Sequence, residues 1–180
     1  MKKLLCIAFL ILGVTSLNAQ EKGKVRVGMD LGWAFASGGG GLLFDLEPKY
    51  NLTDNSNVGL RIGVAARLGN IESDIDVDAN ISFLGTYDYY FNNENSSSAP
   101  FVGGGLGLFV LGGSTDGDDV FAGNQVGGLI RGGIELGKLR LAFEYNIIPK
   151  SKLEMGQSIE NSYLGASIGF YLGGGKWKNK

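Results

Sequence analysis

The sequence predicts an all-β chain, an eight-stranded antiparallel up-and-down transmembrane β-barrel preceded by a cleaved signal peptide. Three observations predict it. Segments of strict period-two alternation recur along the chain with turn signals between them. Within those segments the charged residues fall on one face and the large apolar residues on the other. An apolar run at the N-terminus is too short to cross a bilayer as a helix, which needs about 20 residues.

That N-terminus has the layout of a secretory signal. Lys2 and Lys3 precede an apolar run of 11 residues, Leu4–Val14, broken by Gly13. Leu17-Asn18-Ala19 then supplies small residues for cleavage, so residues 1–19 are assigned to the signal and 20–174 to the barrel, with a basic tail at 175–180. The single cysteine, Cys6, lies inside the signal, so the mature chain carries neither disulfide nor thiol chemistry. Removing the signal takes two of the 16 basic residues. The 14 that remain face 18 acidic ones, a net charge of −4. This balance argues against nucleic acid, which calls for a basic surface.

The strands follow in order. The first, residues 24–34, sets Val25, Val27, Met29, Leu31 and Trp33 against Arg26, Gly28, Asp30 and Gly32. The second, 42–50, sets Leu42, Phe44, Leu46 and Tyr50 against Leu43, Asp45, Glu47 and Lys49. The third, 58–68, sets Val58, Leu60, Ile62, Val64 and Leu68 against Gly59, Arg61, Gly63 and Arg67. The fourth, 75–91, sets Ile81, Phe83, Tyr87, Tyr89 and Phe91 against Asn80, Ser82, Thr86 and Asp88. The fifth, 100–111, is so rich in glycine that its facing is ambiguous. The sixth, 126–136, sets Ile130, Ile134 and Leu136 against Arg131 and Glu135. The seventh, 139–147, sets Leu139, Leu141, Phe143, Tyr145 and Ile147 against Arg140, Glu144 and Asn146. The eighth, 162–172, sets Leu164, Ala166, Ile168, Phe170 and Leu172 against Tyr163, Gly165, Ser167 and Gly169. An even count places both chain ends on the periplasmic side. The connections 51–57, 92–99 and 137–138 are then periplasmic turns, and 35–41, 69–74, 112–125 and 148–161 face outside.

Charge decides between a soluble and a membrane barrel. The non-apolar face carries Arg26, Lys49, Arg61, Arg67, Arg131 and Arg140, matched by Asp30, Asp45, Glu47, Asp88, Glu135 and Glu144. A soluble ligand-binding barrel would turn these outward around an apolar interior. A membrane barrel turns them inward, and the aliphatic and aromatic face meets lipid. The inward choice accounts for the neutrality of the charged face. It also accounts for aromatic residues near strand ends, which suit the two bilayer interfaces. Eight strands leave an interior that side chains fill. The lumen charge network is therefore the first candidate site.

Other motifs carry less. Gly132–Lys138 reads G-x-x-x-x-G-K, but Leu139 stands where Ser or Thr belongs and no helix follows. Gly103–Gly107 likewise lacks the helix that a dinucleotide fingerprint requires. The chain has no histidine, which excludes a Ser-His or Asp-His mechanism. Glu72, Asp74, Asp76 and Asp78 alternate so as to share one face. They form either a solvated rim or a weak divalent-cation site, since hard cations take carboxylate oxygens. No cofactor is expected.

The segments Ser82-Phe83-Leu84-Gly85-Thr86-Tyr87-Asp88-Tyr89-Tyr90-Phe91, Ala99-Pro100-Phe101-Val102-Gly103-Gly104-Gly105-Leu106-Gly107-Leu108 and Gly169-Phe170-Tyr171-Leu172 carry a family resemblance. On these residues the chain resembles the small outer-membrane β-barrel family of Gram-negative bacteria, related in architecture to outer-membrane protein X and the transmembrane part of outer-membrane protein A. The resemblance covers the whole mature chain and implies no particular activity. It implies residence in outer-membrane lipid, assembly through periplasmic chaperones and the barrel-assembly machinery, and an external ligand, if any, taken by the loops. The chain departs from the pattern in ending on a basic tail and in lacking a peptidoglycan-binding domain. The reading is a non-enzymatic barrel with a charge-paired, side-chain-plugged lumen. A narrow passive channel is the alternative.

Overall fold

The computed structural model describes residues 21–36, 39–67, 79–91, 98–115, 118–152, 158–159 and 161–174, with backbone alone at 67, 113–115, 118–122, 151–152 and 158–159. The proposed signal and the basic tail lie outside the described residues. Eight strands close into one antiparallel barrel: β1 (Val25–Ala36), β2 (Gly39–Thr53), β3 (Ser56–Arg67), β4 (Ala79–Tyr90), β5 (Ser98–Thr115), β6 (Asp118–Leu136), β7 (Leu139–Ile147) and β10 (Tyr163–Gly173). Two short strands, β8 (Ser151–Lys152) and β9 (Ser158–Ile159), pair within the connection from β7 to β10. Each barrel strand pairs with its sequence neighbour, and β1 closes on β10 from Arg26↔Gly173 to Ala36↔Tyr163.

The alternation sets the wall. β2 runs outward at Leu42, Phe44, Leu46 and Tyr50 and inward at Leu43, Asp45, Glu47 and Lys49; β7 alternates without a break. Outward side chains such as Leu31, Phe44, Leu60, Leu106, Ile130, Phe143 and Leu164 are exposed. Together they form an apolar belt far beyond the few hundred Å² that a water-soluble monomer shows. Pro48 points outward on β2, and the ladder to β3 lapses there between Leu46↔Ile62 and Lys49↔Gly59. Proline has no N–H to donate.

Several connections differ from the sequence expectation. The turn expected at 51–57 shrinks to Asp54-Asn55, where Thr53 and Ser56 join hydroxyls at 2.7 Å and Asn55 Nδ2 donates to the Tyr90 carbonyl at 3.0 Å. The external loop expected at 112–125 is largely a hairpin, with Gly112↔Phe121 to Thr115↔Asp118 paired beyond a bulge at Leu111/Gly112. The loop expected at 35–41 is mostly strand, because Ala36↔Gly39 still pair. In each case glycine and small polar residues hid pairing that backbone hydrogen bonds supply. The turn at Gly137-Lys138 closes β6 onto β7 with Gly137 at φ 64°, a left-handed conformation that glycine adopts without strain.

The first and last described residues, Glu21 and Gly174, meet at the same end of the barrel. The N–H of Glu21 donates to the Gly174 carbonyl, the N–H of Gly174 to the Val25 carbonyl, and Asn51 Nδ2 to the Glu21 carbonyl. This is the terminal end below; the opposite end is the mouth.

Candidate functional site

The interior is built from the inward positions of all eight barrel strands and is layered along the axis. At the terminal end Arg26 of β1 reaches across to β6. Its Nη1 donates to Glu135 Oε2 at 2.9 Å and its Nη2 to Glu135 Oε1 at 3.2 Å, a bidentate pair. The Tyr90 hydroxyl accepts from Arg26 at 2.5 Å and donates to Glu135 at 2.7 Å. The Arg26 guanidinium also lies 4.1 Å from the Tyr171 ring centroid and 5.1 Å from that of Tyr90.

The next layer gathers five charges. Arg131 of β6 donates through Nε to Asp88 Oδ1 at 2.8 Å and through Nη2 to Glu47 Oε1 at 2.6 Å. Further bonds run from Nη2 to Asp88 Oδ2 at 3.0 Å and from Nη1 to Glu47 Oε2 at 3.1 Å. Lys49 pairs with Asp88 and lies 3.2 Å from Glu47. Arg140 lies 3.6 Å from Glu47, donates to the Tyr171 hydroxyl and stacks 4.2 Å from the Phe101 ring centroid. Gly103 sits directly against Asp88, where a Cβ would collide with the carboxylate. Nearer the mouth, Arg61 of β3 bridges Asp45 at 2.7 Å and Glu144 at 2.8 Å, and Asn146 donates to Glu144 at 2.7 Å.

An apolar layer completes the interior on the mouth side. Ala34, Leu43, Leu84, Phe109, Leu111, Leu129, Ile148 and Tyr163 are buried against one another, with Ala36 and Ala65 beside them. A smaller apolar cluster, Tyr90, Ala99, Phe101 and Ala142, lies toward the terminal end.

The structure thus brings Arg26, Glu135, Glu47, Lys49, Asp88, Arg131, Arg140, Arg61, Asp45 and Glu144 into ion pairs inside the barrel. Asp30 departs from the expected pairing. It is buried in the lumen, but among the described residues it joins no ion pair, and its Oδ1 has no hydrogen-bond partner. Its cross-strand neighbours are Asp45 and Gly169, so neither offers a cation. The Arg67 side chain, and all of Glu72, Asp74, Asp76 and Asp78, lie outside the described residues. The described lumen holds five basic and six acidic side chains; Arg67, the sixth basic residue expected there, has no described side chain.

The sequence pattern placed Leu43 on the charged face, but it gave no lumen role to Leu84, Tyr90, Phe101, Phe109, Leu129 or Tyr171. Parity with Asp88 and Gly169 would have turned Leu84, Tyr90 and Tyr171 inward. Treating large apolar residues as a lipid-facing class concealed them.

No protein-family model matches the chain, and no curated protein sequence does. Among solved structures, neisserial surface protein A superposes with a TM-score of 0.62 at 16% identity, covering 83% of this chain and 95% of that one. The N-terminal β-barrel domain of Pseudomonas aeruginosa OprF gives 0.58 at 14% identity, covering 86% and 99%. The outer membrane protein OprG of the same organism gives 0.51 at 10% identity, covering 86% and 98%. The chain therefore has the fold of the small eight-stranded outer-membrane β-barrels.

Proposed function

We propose that the protein is a non-enzymatic barrel of the outer membrane whose lumen is closed by its own side chains and whose role is structural or exercised through the connections at the mouth. One observation carries this reading: the ion-paired layers and the apolar layer lie in series along the axis. An ion would have to break pairs among groups 0–3% exposed and then cross an apolar stretch lined by Leu43, Leu84, Phe109 and Leu129. Truncating one partner of a buried pair costs about 3–5 kcal/mol, and apolar constrictions exclude ions by dewetting. Outer-membrane residence is supported by the apolar belt and the shared fold. Assembly by periplasmic chaperones and the barrel-assembly machinery belongs to the same proposal.

Planar-bilayer recording tests the closed lumen. The unmodified protein is expected to show no steady conductance. Phe109→Ala combined with Leu129→Ala, together with removal of charge at Arg61 or Glu144, is expected to produce small flickering currents. A large stable conductance from the unmodified protein would overturn the proposal and favour the channel reading. Residence is checked separately. The membrane-fraction protein should migrate differently on a denaturing gel before and after boiling, because folded membrane barrels resist detergent. Complete extraction into salt buffer would instead indicate a soluble barrel.

A further inference from the structure

We propose that the terminal end of the barrel carries a lipid-recognition surface, centred on Lys24 and Lys138, for phospholipid headgroups of net negative charge. Lys22 and Lys24 are exposed where the chain enters β1, and Lys138 is half-buried at the tip of the β6–β7 turn. The fold brings them to one sector of the rim. Lys138 Nζ donates to the Gly173 carbonyl at 2.7 Å, and the N–H of Gly174 donates to the Val25 carbonyl at 3.0 Å. Only β10 separates β1 from β7, so Lys24 and Lys138 stand two strand spacings apart, about 10 Å. Among the described residues, none of the three lysines joins an ion pair. The described acids along this part of the rim are Glu21 and Asp54, and Asp54 Oδ1 accepts the backbone N–H of Lys22 at 2.9 Å.

Depth selects the occupant. Lys24 immediately precedes Val25, which is 61% exposed on the outer wall, and Lys138 lies between the exposed Leu136 and Leu139. Tyr50, paired with Val25, and Leu172 continue that apolar edge. One residue along a strand rises about 3.4 Å, so these lysines stand where hydrocarbon gives way to headgroups. A lysine at such a border covers apolar surface with its methylenes and holds its ammonium in the polar layer. Charge selects the headgroup. A zwitterionic lipid brings its own cation beside the phosphate, whereas phosphatidylglycerol offers an unbalanced phosphodiester. The sequence beyond Gly174 adds to the same sector. Lys176, Trp177, Lys178 and Lys180 follow within six residues, a stretch that reaches at most about 20 Å. Tryptophan is itself favoured at the membrane–water interface. The mature chain is acidic overall, yet this sector and its continuation hold six lysines against Glu21 and Asp54. Glu94, in the β4–β5 connection at the same end, belongs to the side of the barrel opposite β10.

The inference rests on the apolar belt facing lipid, and the experiment separates the two. The full-length protein is folded into phosphatidylcholine vesicles that contain brominated phosphatidylglycerol or brominated phosphatidylcholine, and tryptophan quenching reports which lipid stands beside the wall. Leu139→Trp, with Trp33→Phe and Trp177→Phe, places the reporter next to Lys138. The native Trp33, with Trp177→Phe, reports on the mouth side of the same belt. At Leu139→Trp, phosphatidylglycerol is expected to associate about fivefold more strongly than phosphatidylcholine, the factor that one lysine near an anionic surface supplies. At Trp33 no such preference is expected. High salt should weaken the preference. Lys22→Gln, Lys24→Gln and Lys138→Gln together should lower it, and adding Lys176→Gln, Lys178→Gln and Lys180→Gln should bring the two lipids to parity. Equal quenching by both lipids at Leu139→Trp would overturn the inference, as would a preference that survives all six substitutions or that is equally strong at Trp33. Equal quenching together with tight binding of soluble polyglutamate would assign the lysines to an acidic protein instead. Failure to insert into either vesicle would overturn the lipid-facing belt itself, whereas inserted, heat-modifiable protein without the preference would overturn this inference alone.

Discussion

Replacing Arg131 with methionine is expected to destabilise the barrel by about 3–5 kcal/mol. Arg131 donates four hydrogen bonds to Glu47 and Asp88, at 2.6–3.1 Å. Both carboxylates are at most 1% exposed, so neither gains water when the guanidinium is lost. Lys49 and Arg140 remain nearby, but Lys49 presents a point charge and Arg140 stands 3.6 Å and 3.9 Å from the two carboxylates. Neither reproduces a planar fork that satisfies both acceptors at once. Urea unfolding in vesicles measures the loss. The double variant Arg131→Met with Glu47→Gln should recover part of it, because it removes one of the stranded charges. A loss below about 1 kcal/mol would place these pairs in the range of solvent-screened surface bridges and would mean that the lumen is wet.

The strand order and the facing of the charged positions were legible because period two is unambiguous wherever a charge marks one face. Arg26 with Asp30, Asp45 with Glu47 and Lys49, and Glu144 with Arg140 each mark a strand in this way. β5 was not legible. Gly103, Gly105 and Gly107 alternate with Gly104, Leu106 and Leu108, so glycine occupies both faces, and the inward one is declared only toward the strand's ends, by Ala99, Phe101, Phe109 and Leu111. The partners within the lumen were not legible either. Arg26 meets Glu135 across 109 positions of sequence, and Arg131 meets Glu47 across 84. Such pairs depend on the tilt and stagger of the closed barrel, which no local pattern encodes. The same limit hid Asp30. Counting charges predicts a neutral face, but only the register shows that its cross-strand neighbours are Asp45 and Gly169.

Placing arginine at Ile62 or at Leu141 is expected to cost about 2–4 kcal/mol if the site lies near the bilayer midplane. Ile62 sits at the middle of β3 and pairs outward with Leu46 and Phe83; Leu141 lies on β7 between Ile134 and Ile168. All of these neighbours are apolar, so an arginine there finds no partner within the wall. Its side chain must reach toward the interface or draw water into the hydrocarbon. Depth supplies the control. Val25→Arg, at the terminal end of β1, should cost only about 0–1 kcal/mol because the interface is within reach. Ser82→Arg should fail for another reason. Ser82 is 1% exposed in the lumen, with Gly63 and Phe109 as cross-strand neighbours, so the longer side chain overfills a packed interior. Folding into vesicles of different acyl-chain length separates the two mechanisms. The cost at Ile62 and Leu141 should fall in thinner bilayers, while the cost at Ser82 should not change. Normal folding of both outward arginine variants in thick bilayers would mean that the belt of Phe44, Ile62, Phe83 and Leu141 does not face lipid.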